Sequence, residues 1–239
     1  LNDFAFNVLE PVPVKGYKKP LAIYEVTVKK SEPSQPPLQS GRIITSGMVG
    51  RQKESRALED QIKQLLNGRG GVVCIEGIAG IGKSRLMAEI MRKEITNLVA
   101  FFEGRALSEG KNLSFHPINQ IVKSWSGIKE DDNPATSYQK LSQNIIRIYP
   151  EQASEIIPFV ATMMGYTLEG EARQRVKGIE GEALERLILK NTRDLLARAA
   201  SIRPVVIMVE DAHWADIYSI SFMESLFKLV KSHHLLFIN

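Results

Sequence analysis

Eight consecutive residues constrain this chain more than any others. Gly77-Ile78-Ala79-Gly80-Ile81-Gly82-Lys83-Ser84 fits G-x-x-x-x-G-K-[ST] at every fixed position. A polyphosphate needs many donors converging on a small volume, and only a backbone bare of bulky side chains wraps that closely. Gly77, Gly80 and Gly82 supply such a loop, with the main chain of Ile81 running through it as part of the cradle. A helix beginning near Lys83 aims free N–H groups and its positive dipole end at the anion. Lys83 adds a mobile charge for the outer phosphates, and Ser84 offers a hydroxyl to Mg²⁺. Chance alone produces the pattern in roughly one chain of this length in a hundred. The context argues further against chance, because the apolar run Val72-Val73-Cys74-Ile75 precedes the loop and a helical pattern through about residue 95 follows.

Around that loop the pattern predicts an α/β fold. A helix from residue 51 carries Leu58, Ile62, Leu65 and Leu66 on one face and stops at Asn67-Gly68. A second strand is expected over Leu98–Glu103. Residues 117–165 read as mostly helical, broken near Pro134, Pro150 and Pro158. A helix over 182–201, a strand over 205–209, a helix near 217–231 and a strand over 235–238 complete the series. Strands alternating with helices imply a parallel sheet, here with a helical insert.

The strand Val205-Val206-Ile207-Met208-Val209 ends in Glu210-Asp211. A buried parallel strand delivers its C-terminal residues to the same sheet edge as the phosphate loop. Adjacent side chains point different ways, so the two carboxylates suit a division of labour. One belongs to the Mg²⁺ shell and the other to the attacking water.

With both motifs placed, residues 46–239 resemble the AAA-like ATPase domains of the STAND class, the signal-transduction ATPases with numerous domains. The likeness rests on Met48-Val49-Gly50-Arg51-Gln52-Lys53-Glu54, similar to the entry motif V-G-R-x-x-E, and on the phosphate loop. It rests also on Phe102-Glu103-Gly104-Arg105, on Phe115-His116-Pro117-Ile118, and on Glu210-Asp211-Ala212-His213-Trp214-Ala215-Asp216. The resemblance implies ATP with Mg²⁺ and places Val49, Gly50 and Arg51 beside the adenine. It implies Lys83 and Ser84 on phosphate and metal, Glu210 in the metal shell and Asp211 on water, with His213 and Trp214 packing the loop. It also implies a sensor residue after the final strand, where the chain stops at Asn239, so the ATPase sheet is expected to be incomplete at its C-terminal end.

Residues 4–28 resemble the last hairpin of class III nucleotide cyclase domains, whose ending V-K-G-x-x-x-P-x-x-x-Y-E-V is similar to Val14-Lys15-Gly16 through Tyr24-Glu25-Val26. Lys15 is expected to be a solvated turn lysine. The resemblance implies a remnant of a ferredoxin-like cyclase domain over 1–28, with its metal carboxylates before Leu1. A Pro- and Ser-rich linker over 29–45 separates it from the ATPase domain at 46–239. Leu1 in place of an initiator Met is expected of an internal fragment.

Composition excludes several other classes. The net charge is +4, with basic residues scattered apart from pairs such as Lys18-Lys19, so no nucleic-acid face is expected. No apolar run reaches the roughly 18 residues of a membrane span. The lone cysteine, Cys74, excludes an internal disulfide and predicts a reducing, cytoplasmic setting. The expectation is therefore an ATP-binding, Mg-ATP-hydrolysing switch module of a multidomain nucleotide cyclase. Its partners are expected to be other domains of the same chain or a signalling protein. The alternatives are a STAND ATPase of a non-cyclase signalling or transcriptional regulator, and a scaffold that binds nucleotide without turnover.

Overall fold

A computed structural model describes residues 4–12, 20–29, 50–108 and 114–239. The chain divides into two compact units, Leu1–Leu38 and Gln39–Asn239. In the first, β1 (Phe4–Val12) and β2 (Leu21–Lys29) form an antiparallel hairpin with register irregularities at Ala5/Phe6 and Leu9/Val12. Lys15 and residues 30–45 of the expected linker lie outside the described residues.

The second unit is an α/β layer structure. Its elements are α1 (Gln52–Leu66), β3 (Gly71–Val73), α2 (Lys83–Met91), β4 (Ala100–Arg105), α3 (His116–Ser126), α4 (Pro134–Ile148) and α5 (Ala153–Met163). They are followed by α6 (Gly170–Val176), α7 (Gly181–Ile202), β5 (Val205–Glu210), α8 (Ile217–Leu229) and β6 (Leu235–Ile238). The four strands run parallel in the order β3-β6-β5-β4. All of them end on one side, so the loop after β3, the end of β6, the end of β5 and the end of β4 share one rim.

Alternation along β5 explains why helices cover both faces. Val206 and Met208 pack with Leu236 and Ile238 against Leu58, Ile62, Leu86 and Met87 of α1 and α2. Val205, Ile207 and Val209 face the other way, onto Phe222 and Leu226 of α8 and Leu195 of α7. A strand apolar at every position is what a sheet buried on both sides requires.

Four boundaries differ from the periodicity. Helix α2 stops at Met91, and a 3-10 turn over Glu94–Leu98 follows. Here Thr96 Oγ1 donates to the carbonyls of Lys93 (2.6 Å) and Met91 (3.1 Å), satisfying groups that a longer helix would have bonded. Strand β4 lies two residues later than expected, because pairing with β5 from Ala100↔Val205 to Arg105↔Glu210 sets its limits and leaves Leu98 exposed. Strand β3 ends at Val73, although Ile75 N–H still donates to Asn239 O. Pro158 sits inside α5 without ending it; the breaks fall at Pro134, which opens α4 behind the Asn133 cap, and at Tyr149–Gln152.

Candidate nucleotide site

The loop after β3 owes its path to glycine. Gly80 (φ 79°) and Gly82 (φ 101°) occupy the left-handed region, which a residue with a Cβ enters only at a cost. Gly82 stands at the N-cap of α2 and brings no capping side chain of its own to the first-turn N–H groups, the donors that a helix N-terminus offers an anion. Lys83 lies in the first turn and folds back over the loop. Its Nζ donates to Gly77 O at 2.7 Å and to Ile78 O at 3.3 Å.

Across the sheet, β5 ends at Glu210 and Asp211 turns the chain in the left-handed region (φ 54°), a conformation aspartate tolerates better than most residues. Arg105, opposite Glu210 in the register, donates from Nε (3.3 Å) and Nη2 (3.2 Å), and both bonds land on Asp211 Oδ2. The tail of this motif also has structural work. Ala215 is buried, the His213 and Trp214 rings lie 4.9 Å apart, and Asp216 caps α8 by accepting from Tyr218 N and Ser219 N.

These elements enclose a cavity of about 310 Å³. Gly77, Lys83 and Ser84 line one wall together with Cys74 and Glu76. Glu210, Asp211 and His213 line the other, with Asn239 at the end of β6 between them. The cavity thus sets three carboxylates against one ammonium group. A triphosphate would meet net repulsion there unless a divalent cation came with it. Ser84 and Glu210 offer the hard oxygen donors that Mg²⁺ takes. Among the described residues no group of three or more His, Cys, Asp and Glu is placed to hold a metal unaided.

The structure therefore brings Gly77, Lys83, Ser84, Glu210 and Asp211 to one cavity. Gly80, Ile81 and Gly82 form the turn between Gly77 and Lys83, with Ile81 half-exposed. Gly50 and Arg51 are not in this wall; Arg51, also left-handed (φ 62°), pairs with Glu54 at 2.8 Å. Val49 lies outside the described residues. Sequence reasoning passed over Cys74, Glu76 and Arg105, and it did not count Asn239 as a site residue. Arg105 had a legible signal: Glu103 and Arg105, two apart on one strand, share a face.

Glu103 is 6% exposed, and its Oε2 has no hydrogen-bond partner among the described residues. Burial, and then the charge of Glu210, push its pKa from 4.5 to about 7, with Arg105 opposing. Between those two values the folded protein holds a proton that the unfolded chain has released. Stability therefore falls as pH rises through that window and stays lower above it. Glu103→Gln is expected to remove the fall. Relative to the variant, the parent should lose about 2–3 kcal/mol of urea-measured stability between pH 4.5 and pH 8. Parallel stability profiles would contradict this.

Comparison with known proteins agrees with the geometry. An uncharacterized protein of Rhizobium meliloti (strain 1021) is 27% identical over 172 residues, which is 71% of this chain and 16% of that protein. The chain thus spans about a sixth of the length of that curated relative. No solved structure matches. The AAA ATPase domain family matches residues 48–238, the region that holds the parallel sheet, the glycine loop and the acidic strand end, and the chain belongs to that family.

Proposed function

We propose that this chain is a Mg-ATP-hydrolysing switch module of the STAND class. The observation that carries the reading is the shared cavity, in which Lys83 and Ser84 of the glycine loop face Glu210 and Asp211 of the acidic strand end. In it the loop amides and Lys83 hold the β- and γ-phosphates, while Ser84 and Glu210 hold Mg²⁺. Bound Mg²⁺ supplies charge neutralisation at the phosphate oxygens. Asp211 orients water and accepts its proton. The water oxygen bonds the γ-phosphorus, and the bond to the β–γ bridging oxygen breaks to leave ADP and phosphate. Arg105 holds Asp211 in place for that step.

We further propose that the module serves a multidomain nucleotide cyclase, with β1 and β2 as part of a class III cyclase domain. The hairpin supports this reading because Val8, Leu9, Val12, Leu21, Ile23 and Tyr24 are all exposed. Successive residues such as Val8 and Leu9 point to opposite faces, so both faces are apolar. A two-stranded ribbon of that kind is marginal alone and gains its stability in a larger sheet or against a helix, both of which a cyclase domain would supply. Two assays test the two levels. The chain should release phosphate from ATP only with Mg²⁺ present, and the natural protein containing it should make a cyclic nucleotide. Phosphate release without cyclic nucleotide would favour a STAND ATPase of another signalling or transcriptional protein. Nucleotide binding without phosphate release would leave a scaffold.

A further inference from the structure

Among the described residues β4 is an edge strand of its sheet, so outward N–H groups at its end have no neighbouring strand there to bond. The main-chain N–H of Arg105 instead donates to Gln120 Oε1 on α3 at 2.5 Å. That bond fixes the orientation of the amide: Oε1 faces Arg105, and Nε2 faces away from it. There Gln120 Nε2 meets His116 Nε2 at 3.0 Å. An amide NH₂ only donates, so the ring nitrogen must accept. Only a neutral imidazole with its hydrogen on Nδ1 does so. A protonated ring would set N–H against N–H.

Arg105 is therefore held at two points, by its main chain to Gln120 and by its guanidinium to Asp211. Backbone proximity makes this link stiff. A Cβ on Gly104 would stand 2.6 Å from Pro117 O and 3.0 Å from Ile121 Cγ1, so α3 rests directly on β4. Both ends of the relay carry left-handed backbone, at Asp211 and at Phe115 (φ 64°), a bulky residue rarely found there. Phe115 is kept in place by burial and by stacking on Tyr218, with ring centroids 4.9 Å apart.

We propose that His116 and Gln120 are positioning residues of the hydrolytic site: neutral His116 accepts from Gln120, Gln120 anchors the Arg105 main chain, and Arg105 so anchored sets Asp211. The inference rests on Asp211 being the residue that orients water. The charged groups facing His116 are Lys123 on its own helix and Asp216 before α8. The Asp216 carboxylate is already engaged by Tyr218 N, Ser219 N and Ser219 Oγ. Arg105 lies across on β4, and Glu182 and Glu185 of α7 face Tyr218. Burial, and then Lys123, hold the imidazole below its ordinary 6.5 against the opposing pull of Asp216. The relay is thus intact at neutral pH and is lost as pH falls through the His116 pKa.

The test combines nitrogen-15 NMR of His116 with Mg-ATP steady-state kinetics on the full chain and on Gln120→Leu and Gln120→Glu. In the parent, His116 should be the Nδ1–H tautomer. In Gln120→Glu the carboxylate accepts both from Arg105 N–H and from a protonated ring, so the His116 pKa should rise by about one unit or more. The acid limb of kcat that His116 protonation gives the parent should disappear in that variant. Gln120→Leu should lower kcat about tenfold with little change in KM, and Gln120→Glu should recover part of that loss below the new pKa. An Nε2–H tautomer in the parent, or parental kcat in Gln120→Leu, overturns the proposal. If the parent hydrolyses no ATP, the reading of Asp211 fails and the NMR arm still decides the relay: unchanged His116 titration in Gln120→Glu overturns it.

Discussion

Lys83→Ala is expected to weaken Mg-ATP binding by about 30-fold or more, the equivalent of losing about 2–5 kcal/mol when a charge that pairs phosphate is removed. The side chain is poised for that role. Its ammonium group rests on Gly77 O and Ile78 O, bonds that a phosphate oxygen can replace. Both contacts are solvent-exposed, so their loss leaves no buried orphan carbonyl and the fold should persist. Calorimetric titration with Mg-ATP, beside a thermal unfolding curve, separates the two effects. An unchanged affinity in a folded variant would show that the ammonium group does not touch the phosphates.

Asp211→Asn is expected to lower kcat by about 100-fold or more while leaving nucleotide affinity within a few-fold. Asparagine is the informative replacement because it tolerates the left-handed backbone at this position and can still accept from Arg105 through its carbonyl. It cannot take a proton from water. A drop in phosphate release with binding retained therefore isolates the proton-accepting step. Equal losses in binding and turnover would instead point to a role in holding the nucleotide.

Legibility in the sequence followed the physics of each feature. The parallel sheet was readable because β5 is apolar at every position from Val205 to Val209, a pattern that a strand covered on both faces sustains. The glycine loop was readable because its chemistry tolerates few alternatives at Gly77, Gly82, Lys83 and Ser84. Helix ends were less so, since Thr96 closes the turn after α2 through a side-chain bond that periodicity does not register. The Arg105–Asp211 pair joins residues 106 apart in the chain, and nothing local in either segment announces the other. Only the register Arg105↔Glu210 brings them together. The same is true of Asn239 and Cys74, which meet because β6 lies between β3 and β5. The adenine contact of Val49, Gly50 and Arg51 is implied by the family resemblance alone; in the structure Arg51, at the N-cap of α1, pairs with Glu54.

The central claim is that main-chain amides and Lys83 grip a triphosphate beside Glu210 and Asp211. A crystal structure of the chain with Mg²⁺ and a non-hydrolysable ATP analogue tests it most directly. The account predicts Lys83 Nζ moved off Gly77 O onto the outer phosphates, with the metal between Ser84 and Glu210. Phosphates bound elsewhere, with Lys83 still capping Gly77 O, would contradict it.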